Sequence, residues 1–156
     1  MEKFKSVIVD KDKCTGCRVC EYVCSIYHPC VFNPSRSHIK VTRVYPFTNA
    51  ALTCRMCDDA PCVPACPRKA LTQSPENGVI LVDDELCNEP GCDKCIKACE
   101  YGSITLEAGK ARMCDLCAKR EEGPACIEWC PEEVLSLEFS EDEKKAEAKS
   151  EVAEEA

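Results

Sequence analysis

The chain has 156 residues, of which 31% are charged and only 6% are aromatic, and its formal net charge is −8 at pH 7. No apolar run reaches the length that spans a bilayer, and the acidic charge argues against a nucleic-acid-binding protein. Seventeen residues are cysteine, so we expect thiol chemistry to replace part of an apolar core that is thin for this length.

The predicted secondary structure consists of short elements between groups of cysteines. Apolar or alternating runs predict strands at residues 7–9, 38–45, 78–82, 104–106, 111–113 and 134–139. Residues 107–110 have the composition of a tight turn, so the strands on either side of it are expected to form a hairpin. Helices of one turn or slightly more are expected to begin inside the cysteine groups. The elements together predict the α+β class.

Sixteen of the 17 cysteines fall into four groups, and every group ends in a C-x-x-x-C gap. The groups are Cys14, Cys17, Cys20 and Cys24; Cys54, Cys57, Cys62 and Cys66; Cys87, Cys92, Cys95 and Cys99; and Cys114, Cys117, Cys126 and Cys130. A proline follows the second and the fourth group. This repetition is an internal repeat of a chemical kind.

Three chemistries account for so many cysteines: disulfides, zinc and iron–sulfur clusters. Disulfides need an oxidising compartment, whereas the N-terminal segment lacks the apolar core of a signal peptide and an odd count leaves one thiol unpaired. Zinc sites usually take two thiols from each of two loops. The first group instead offers three cysteines at gaps of two, a spacing that lets one loop reach three irons of a cubane.

The longer final gap has its own explanation. In two-cluster ferredoxins the fourth cysteine of such a run ligates the other cluster. At four ligands for each cubane, the sixteen grouped cysteines predict four [4Fe–4S] clusters, with iron bound through all sixteen.

The four groups resemble a known family, the four-cluster ferredoxin-type electron-transfer subunits of molybdenum and tungsten oxidoreductases, hydrogenases, formate dehydrogenases and carbon monoxide dehydrogenases. The resemblance covers about residues 5–139 and rests on the segments CTGCRVCEYVC, CRMCDDAPCVPACP, CDKCIKACEYG and CDLCAKREEGPACIEWCP. The segment NPSRSHIKV resembles a segment found in the small subunits of tungsten-dependent aldehyde oxidoreductases and their relatives.

The resemblance implies how the cysteines are shared among the clusters. The implied ligand sets are Cys14, Cys17, Cys20 and Cys130 for cluster 1; Cys24, Cys114, Cys117 and Cys126 for cluster 2; Cys54, Cys57, Cys62 and Cys99 for cluster 3; and Cys66, Cys87, Cys92 and Cys95 for cluster 4. The third group departs from the family pattern, because the gap after Cys87 has four residues where two are usual. Whether Cys87 is a ligand therefore stays open.

The resemblance also implies nested ferredoxin-like units. Residues 1–50 and 111–139 would form an outer unit, and residues 51–110 would form a unit inserted into it. From residue 140 to the end the sequence has seven acids and three lysines, without glycine, proline or aromatic residues. We expect a solvated acidic tail there rather than a helix that docks on a partner.

Three further residues lie outside the cysteine groups. Cys30 would be the spare thiol if Cys87 were not a ligand, but we expect it to be a small buried side chain, since free cysteine behaves as a compact apolar residue. His28 and His38 are expected to be structural or surface residues rather than metal ligands.

The sequence contains no phosphate-binding loop, dinucleotide fingerprint or nucleophilic triad, so we expect a non-catalytic electron-transfer protein. Its expected partner is a large catalytic oxidoreductase subunit, which by resemblance is of the tungsten or molybdenum type, such as an aldehyde oxidoreductase. Two further partners are compatible with the sequence. One is another electron-carrier subunit or ferredoxin, and the other is a second copy of this chain, with which it would form a longer chain of clusters. The alternatives are a subunit of a hydrogenase, formate dehydrogenase or carbon monoxide dehydrogenase, a freestanding ferredoxin, and an iron–sulfur sensor or scaffold. We expect a cytoplasmic location in an anaerobe and no membrane insertion.

Overall fold

The chain folds into short helices and two-stranded antiparallel ladders, as the α+β prediction required. The computed structural model describes residues 4–28, 30–44 and 48–139. Its strands are β1 (Phe4–Val9), β2 (Lys40–Val44), β3 (Thr48–Leu52), β4 (Leu71–Gln73), β5 (Ile80–Val82), β6 (Thr105–Glu107), β7 (Lys110–Arg112) and β8 (Leu135–Phe139). Its helices are α1 (Val19–Tyr27), α2 (Cys62–Ala65), α3 (Lys94–Ala98) and α4 (Ala125–Glu128), with a 3-10 turn at Pro34–Arg36.

The first and last strands of the described chain pair with each other. β1 and β8 are antiparallel, with Val7 opposite Leu137 and Val9 opposite Leu135. The main-chain N–H of Asp10 then donates to the Val134 oxygen at 2.9 Å, which extends this contact past the ladder. The remaining pairs, β2–β3, β4–β5 and β6–β7, are local hairpins.

The hairpin expected around residues 107–110 is confirmed, with each strand displaced by one residue toward the turn. Ala108 and Gly109 have φ angles of 49° and 78°, the left-handed pair that a type I′ turn needs. Ile104 and Met113, which were assigned to the strands, instead lie just outside them and are buried in the core. The strands β1, β2, β5 and β8 confirm the other predicted runs, with bounds that differ by a few residues.

The helices pack in two pairs, and every helix lies within or against a cysteine group. α1 packs on α4, and α2 packs on α3. α1 has nine residues and is longer than the helices of one turn or slightly more that the sequence predicted. The core between these elements contains Ile39, Ile80 and Met113 together with many cysteines, rather than large aromatic side chains.

Two hairpins cross the residues at which the sequence was divided into units. β3 runs through residue 50, and the β6–β7 hairpin runs through residue 110. The tail from residue 140 onward lies outside the described residues. Among the residues that are described, no helix is long and apolar enough to cross a membrane.

Candidate iron–sulfur sites

Cysteines from the two ends of the chain line one cavity. Cys14, Cys17 and Cys20 reach it from the first group, and Cys130 reaches it from beyond α4. The loop is held in place by main-chain and side-chain bonds, since the Cys14 N–H donates to the Asp10 oxygen at 3.1 Å and Asn49 Nδ2 donates to the Cys14 oxygen at 3.1 Å. Val9 of β1 and Leu135 of β8 line the same cavity and pair with each other, so this ladder brings the first group and Cys130 together.

A second set forms where α1 packs on α4. The Cys24, Cys114 and Cys126 side chains are buried, and the thiols of Cys24 and Cys117 lie close enough to the others to perturb one another electrostatically. The main-chain N–H of His38 donates to Cys24 Sγ at 3.2 Å. The trailing cysteine of the first group therefore lies among cysteines of the fourth group.

The third set lines a cavity between the second and third cysteine groups. Cys54, Cys57 and Cys62 meet Cys99 there, and the guanidinium of Arg55 lies 5.5 Å from the ring centroid of Tyr101 at its edge. α2 and α3 supply Cys62 and the C-terminal cap Cys99, so the packing of these two helices closes the set.

The fourth set lines another cavity, which has a mainly apolar wall. Cys87, Cys92 and Cys95 share it with Cys66. Two of the sulfurs accept main-chain hydrogen bonds, because the N–H of Ala70 donates to Cys66 Sγ and that of Ala111 donates to Cys87 Sγ, each at 3.3 Å. Cys87 thus lies with the other three cysteines despite its unusual spacing in the sequence.

Burial disfavours the free thiolate form of several of these sulfurs. Burial raises the pKa of Cys20 to about 12 and the pKa of Cys24, Cys62 and Cys95 to about 11. A thiol in such surroundings stays protonated near neutral pH unless a cation stabilises its thiolate, and metal binding supplies that charge and releases the proton. Sets of neighbouring cysteines, which supply thiolate sulfur ligands, fit iron–sulfur clusters.

The expectation that Cys30 is buried is wrong. Cys30 is exposed and has a φ of 55°, in the irregular segment between α1 and the 3-10 turn. No apolar core lies within reach of a thiol in such a surface turn. The preference of cysteine for burial therefore does not decide the exposure of Cys30. It lines none of the three cysteine cavities described above.

His28 was expected to be a structural or surface residue, and no motif around it indicates the contact that it makes. His28 Nε2 lies 3.5 Å from Cys117 Sγ and 3.4 Å from Asp115 Oδ1. His28, Asp115 and Cys117 could together hold a metal ion by geometry, but Cys117 belongs to a cysteine set. The two histidine rings stack at 4.2 Å, and burial lowers the pKa of His38 to about 4, so His38 is neutral.

A separate cleft of about 520 Å³ opens beside the second set and carries charged side chains. Arg112 forms a two-pronged ion pair with Asp84, with distances of 2.5 and 3.1 Å, which lowers the Asp84 pKa. Arg36 pairs with Glu107 in the same cleft. These pairs join the β6–β7 hairpin to the segment after β5 and to the 3-10 turn at Pro34–Arg36.

Comparison with known proteins agrees with this cysteine chemistry. The family described as the 4Fe-4S dicluster domain matches residues 46–140. The aliphatic sulfonate oxidoreductase polyferredoxin-like subunit of Pyrococcus furiosus is 38% identical over 128 residues, which cover 81% of this chain and 71% of that protein. The electron transport protein HydN of Escherichia coli is 33% identical over 83% of this chain and 85% of its own length.

The thiosulfate reductase electron transfer subunit PhsB of Salmonella typhi is 31% identical over 82% of this chain and 72% of its own length. Among solved structures, a chain of the active site complex BamBC of benzoyl coenzyme A reductase, in complex with zinc, aligns with a TM-score of 0.49 at 22% identity. That alignment covers 96% of this chain and 90% of the other.

Proposed function

The chain belongs to the 4Fe–4S dicluster domain family, and from this premise we propose that it is an electron-transfer subunit. It relays single electrons between a catalytic oxidoreductase subunit and another redox carrier. The observation that carries the proposal is the gathering of the grouped cysteines into four sets of neighbouring sulfurs. When bound, [4Fe–4S] clusters accept and release one electron at a time.

We propose one cluster for each set, which makes four. The proposed ligands are Cys14, Cys17, Cys20 and Cys130; Cys24, Cys114, Cys117 and Cys126; Cys54, Cys57, Cys62 and Cys99; and Cys66, Cys87, Cys92 and Cys95. The three cavities lined by cysteines and the mutual electrostatic effects of the second set support these assignments.

The nested division into units is likewise a proposal. The β1–β8 pairing and the packing of α1 on α4 support an outer unit made from both ends of the chain. The packing of α2 on α3, with the β4–β5 hairpin between them in sequence, supports an inserted unit. The hairpins β2–β3 and β6–β7 join the two units, since each crosses a boundary.

The contacts between the sets support an order in which electrons pass from one to the next. Cys126 of the second set lies near Cys20 of the first. Cys87 of the fourth set accepts a hydrogen bond from Ala111, three residues before Cys114 of the second set. Helix α2 begins at Cys62 of the third set and is capped by Cys66 of the fourth. The proposed order is therefore first, second, fourth, third.

The proposed partner is a large oxidoreductase subunit of the tungsten or molybdenum type, such as an aldehyde oxidoreductase. Two relatives are named as subunits of a sulfonate oxidoreductase and a thiosulfate reductase, which supports a catalytic partner of some kind. A cytoplasmic setting in an anaerobe, with thiols kept reduced, and self-association into a longer wire belong to the same proposal.

Anaerobic isolation of the native protein tests both parts of the proposal. We expect about 16 irons and a similar amount of sulfide per chain, and a large catalytic subunit that copurifies. A full cluster content in a protein that runs alone at its 17.3 kDa chain mass would indicate the freestanding ferredoxin instead. Zinc in place of iron would contradict the proposal altogether.

A further inference from the structure

The imidazole of His28 lies between a carboxylate and a cysteine of the second set. Its Nε2 is 3.5 Å from Cys117 Sγ and 3.4 Å from Asp115 Oδ1. The main chain holds the residue in this place, because the His28 N–H caps α1 by donating to the Cys24 oxygen at 3.0 Å. The side chains of His28 and Asp115 are only 16% and 21% exposed, so water screens this contact weakly.

The neighbours of Nε2 determine which way its hydrogen bond runs. An ionised carboxylate and a metal-bound thiolate are both acceptors only. Nε2 must therefore carry a hydrogen, which it shares between Asp115 and Cys117. Asp115 is fixed in turn, because its Oδ1 also accepts from the main-chain N–H of Cys117 at 3.0 Å.

We propose that His28 is a positioning residue that raises the reduction potential of the cluster held by the second set, through a hydrogen bond from Nε2 to Cys117 Sγ. Asp115 opposes it. This inference rests on the proposed function. A hydrogen bond to a cluster sulfur favours the reduced, more negative state, and hydrogen bonds to the sulfurs are among the features that set cluster potentials. A nearby carboxylate disfavours that state.

This change in the potential of the second cluster would affect electron transfer along the proposed order of the sets. The second set stands between the first and the fourth in that order, so the potential of its cluster sets the driving force for each of the two electron transfers that pass through it. His28 comes from the C-terminal end of α1, outside every cysteine group. Its side chain is not one of the proposed ligands, so it can be changed without removing a ligand.

Redox titration of the full chain, followed by electron paramagnetic resonance, tests the inference. We expect His28→Phe to shift one of the one-electron steps to lower potential by about tenfold in equilibrium constant, which corresponds to about 59 mV. His28→Gln, whose amide keeps a donor near the Nε2 position, should retain most of the original potential. Asp115→Asn should shift the same step in the opposite direction.

His38→Phe is the matched control, since it replaces the stacked imidazole by a phenyl ring and keeps the main-chain N–H that donates to Cys24. It should leave every step unchanged. Iron content is measured for each variant. If His28→Phe loses iron, the retained potential expected of His28→Gln and the upward shift expected of Asp115→Asn decide the question. Unchanged potentials in fully loaded His28→Phe and Asp115→Asn would overturn the inference and leave electron transfer intact. A wild-type chain without reversible one-electron steps would overturn the proposed function itself.

Discussion

The hydroxyl of Thr53 donates to the main-chain oxygen of Val7 at 3.0 Å, across 46 positions of sequence, and both residues are buried. The carbonyl of Thr53 in turn accepts a hydrogen bond from Ser103 Oγ at 2.8 Å. Thr53 immediately precedes Cys54, so this relay connects β1, the start of the second cysteine group and the segment before β6. It joins parts of the chain that we assign to different units.

We expect Thr53→Val to destabilise the protein by about 1–3 kcal/mol, because it leaves the buried Val7 carbonyl without this donor while preserving side-chain volume. The measurement is the rate of cluster loss in guanidinium, followed by visible absorbance, together with the unfolding midpoint. Thr53→Ser keeps the hydroxyl and should cost much less. Equal effects of the two substitutions would show that methyl packing, rather than the hydrogen bond, gives Thr53 its importance.

Position 16 requires glycine for two reasons, its backbone φ angle and the close approach of Asn49. Its φ is +70°, and a Cβ at this position would lie 2.6 Å from Asn49 Oδ1 and 2.8 Å from Asn49 Cγ. We expect Gly16→Ala to displace Asn49, break its bond to the Cys14 oxygen, and lose about one cluster of four on anaerobic iron analysis.

Gly78 provides a matched control for this prediction. Its φ is +72°, but a Cβ there meets nothing within 4 Å. Gly78→Ala therefore adds only the backbone strain, of about 1 kcal/mol, and should keep its full iron content. If both alanine variants lose iron equally, backbone strain and not the approach of Asn49 explains the requirement.

The sequence predicts the elements whose residues carry a local signal. Ala108 and Gly109 indicate the β6–β7 turn, and the apolar run before the first cysteine group indicates β1. β3 was missed because TNAAL does not alternate between apolar and polar side chains, and β4 was missed because LTQ has a single apolar side chain and no two-residue turn follows it. Strands of this kind form through their partner strand, which a local pattern does not contain.

The same distinction applies to the candidate sites. Cysteine spacing predicts which residues belong to a group, whereas their distribution among the sets depends on long-range pairing such as that of β1 with β8. The contact of His28 with Cys117 spans 89 positions, and nothing near His28 in the sequence indicates it. The exposure of Cys30 was also mispredicted, because the preference of cysteine for burial is a statistical tendency that a surface turn overrides.

Glu21 connects α1 to β2 through a buried carboxylate. Its side chain accepts a hydrogen bond from the Val41 N–H at 2.6 Å, and the residue is only 4% exposed. We expect Glu21→Ala to cost about 2 kcal/mol, since it leaves a partly buried donor without its charged partner. Guanidinium unfolding is the measurement, with cluster absorbance as the signal.

Glu21→Gln separates hydrogen bonding from charge. The amide keeps an acceptor for Val41 but removes a negative charge beside Cys20, the charge that contributes after burial to the raised Cys20 pKa. This variant should lose less stability than Glu21→Ala. A Gln variant as unstable as the Ala variant would mean that the carboxylate charge, with Arg18 at 4.0 Å, supplies the stabilisation.

Cys87 and Cys30 offer a direct comparison between a grouped and an ungrouped thiol. Cys87 shares a cavity with Cys66, Cys92 and Cys95 and accepts a hydrogen bond from Ala111, whereas Cys30 is exposed. We expect Cys87→Ser to lose about four irons per chain, or to convert one cluster to a three-iron form, because serine is a poor substitute for a thiolate ligand. Cys30→Ser should keep the full content, as measured by iron analysis and paramagnetic resonance after anaerobic purification. The reverse result, in which Cys30→Ser loses iron and Cys87→Ser does not, would make Cys30 the sixteenth ligand and would require the segment after α1 to approach the fourth set.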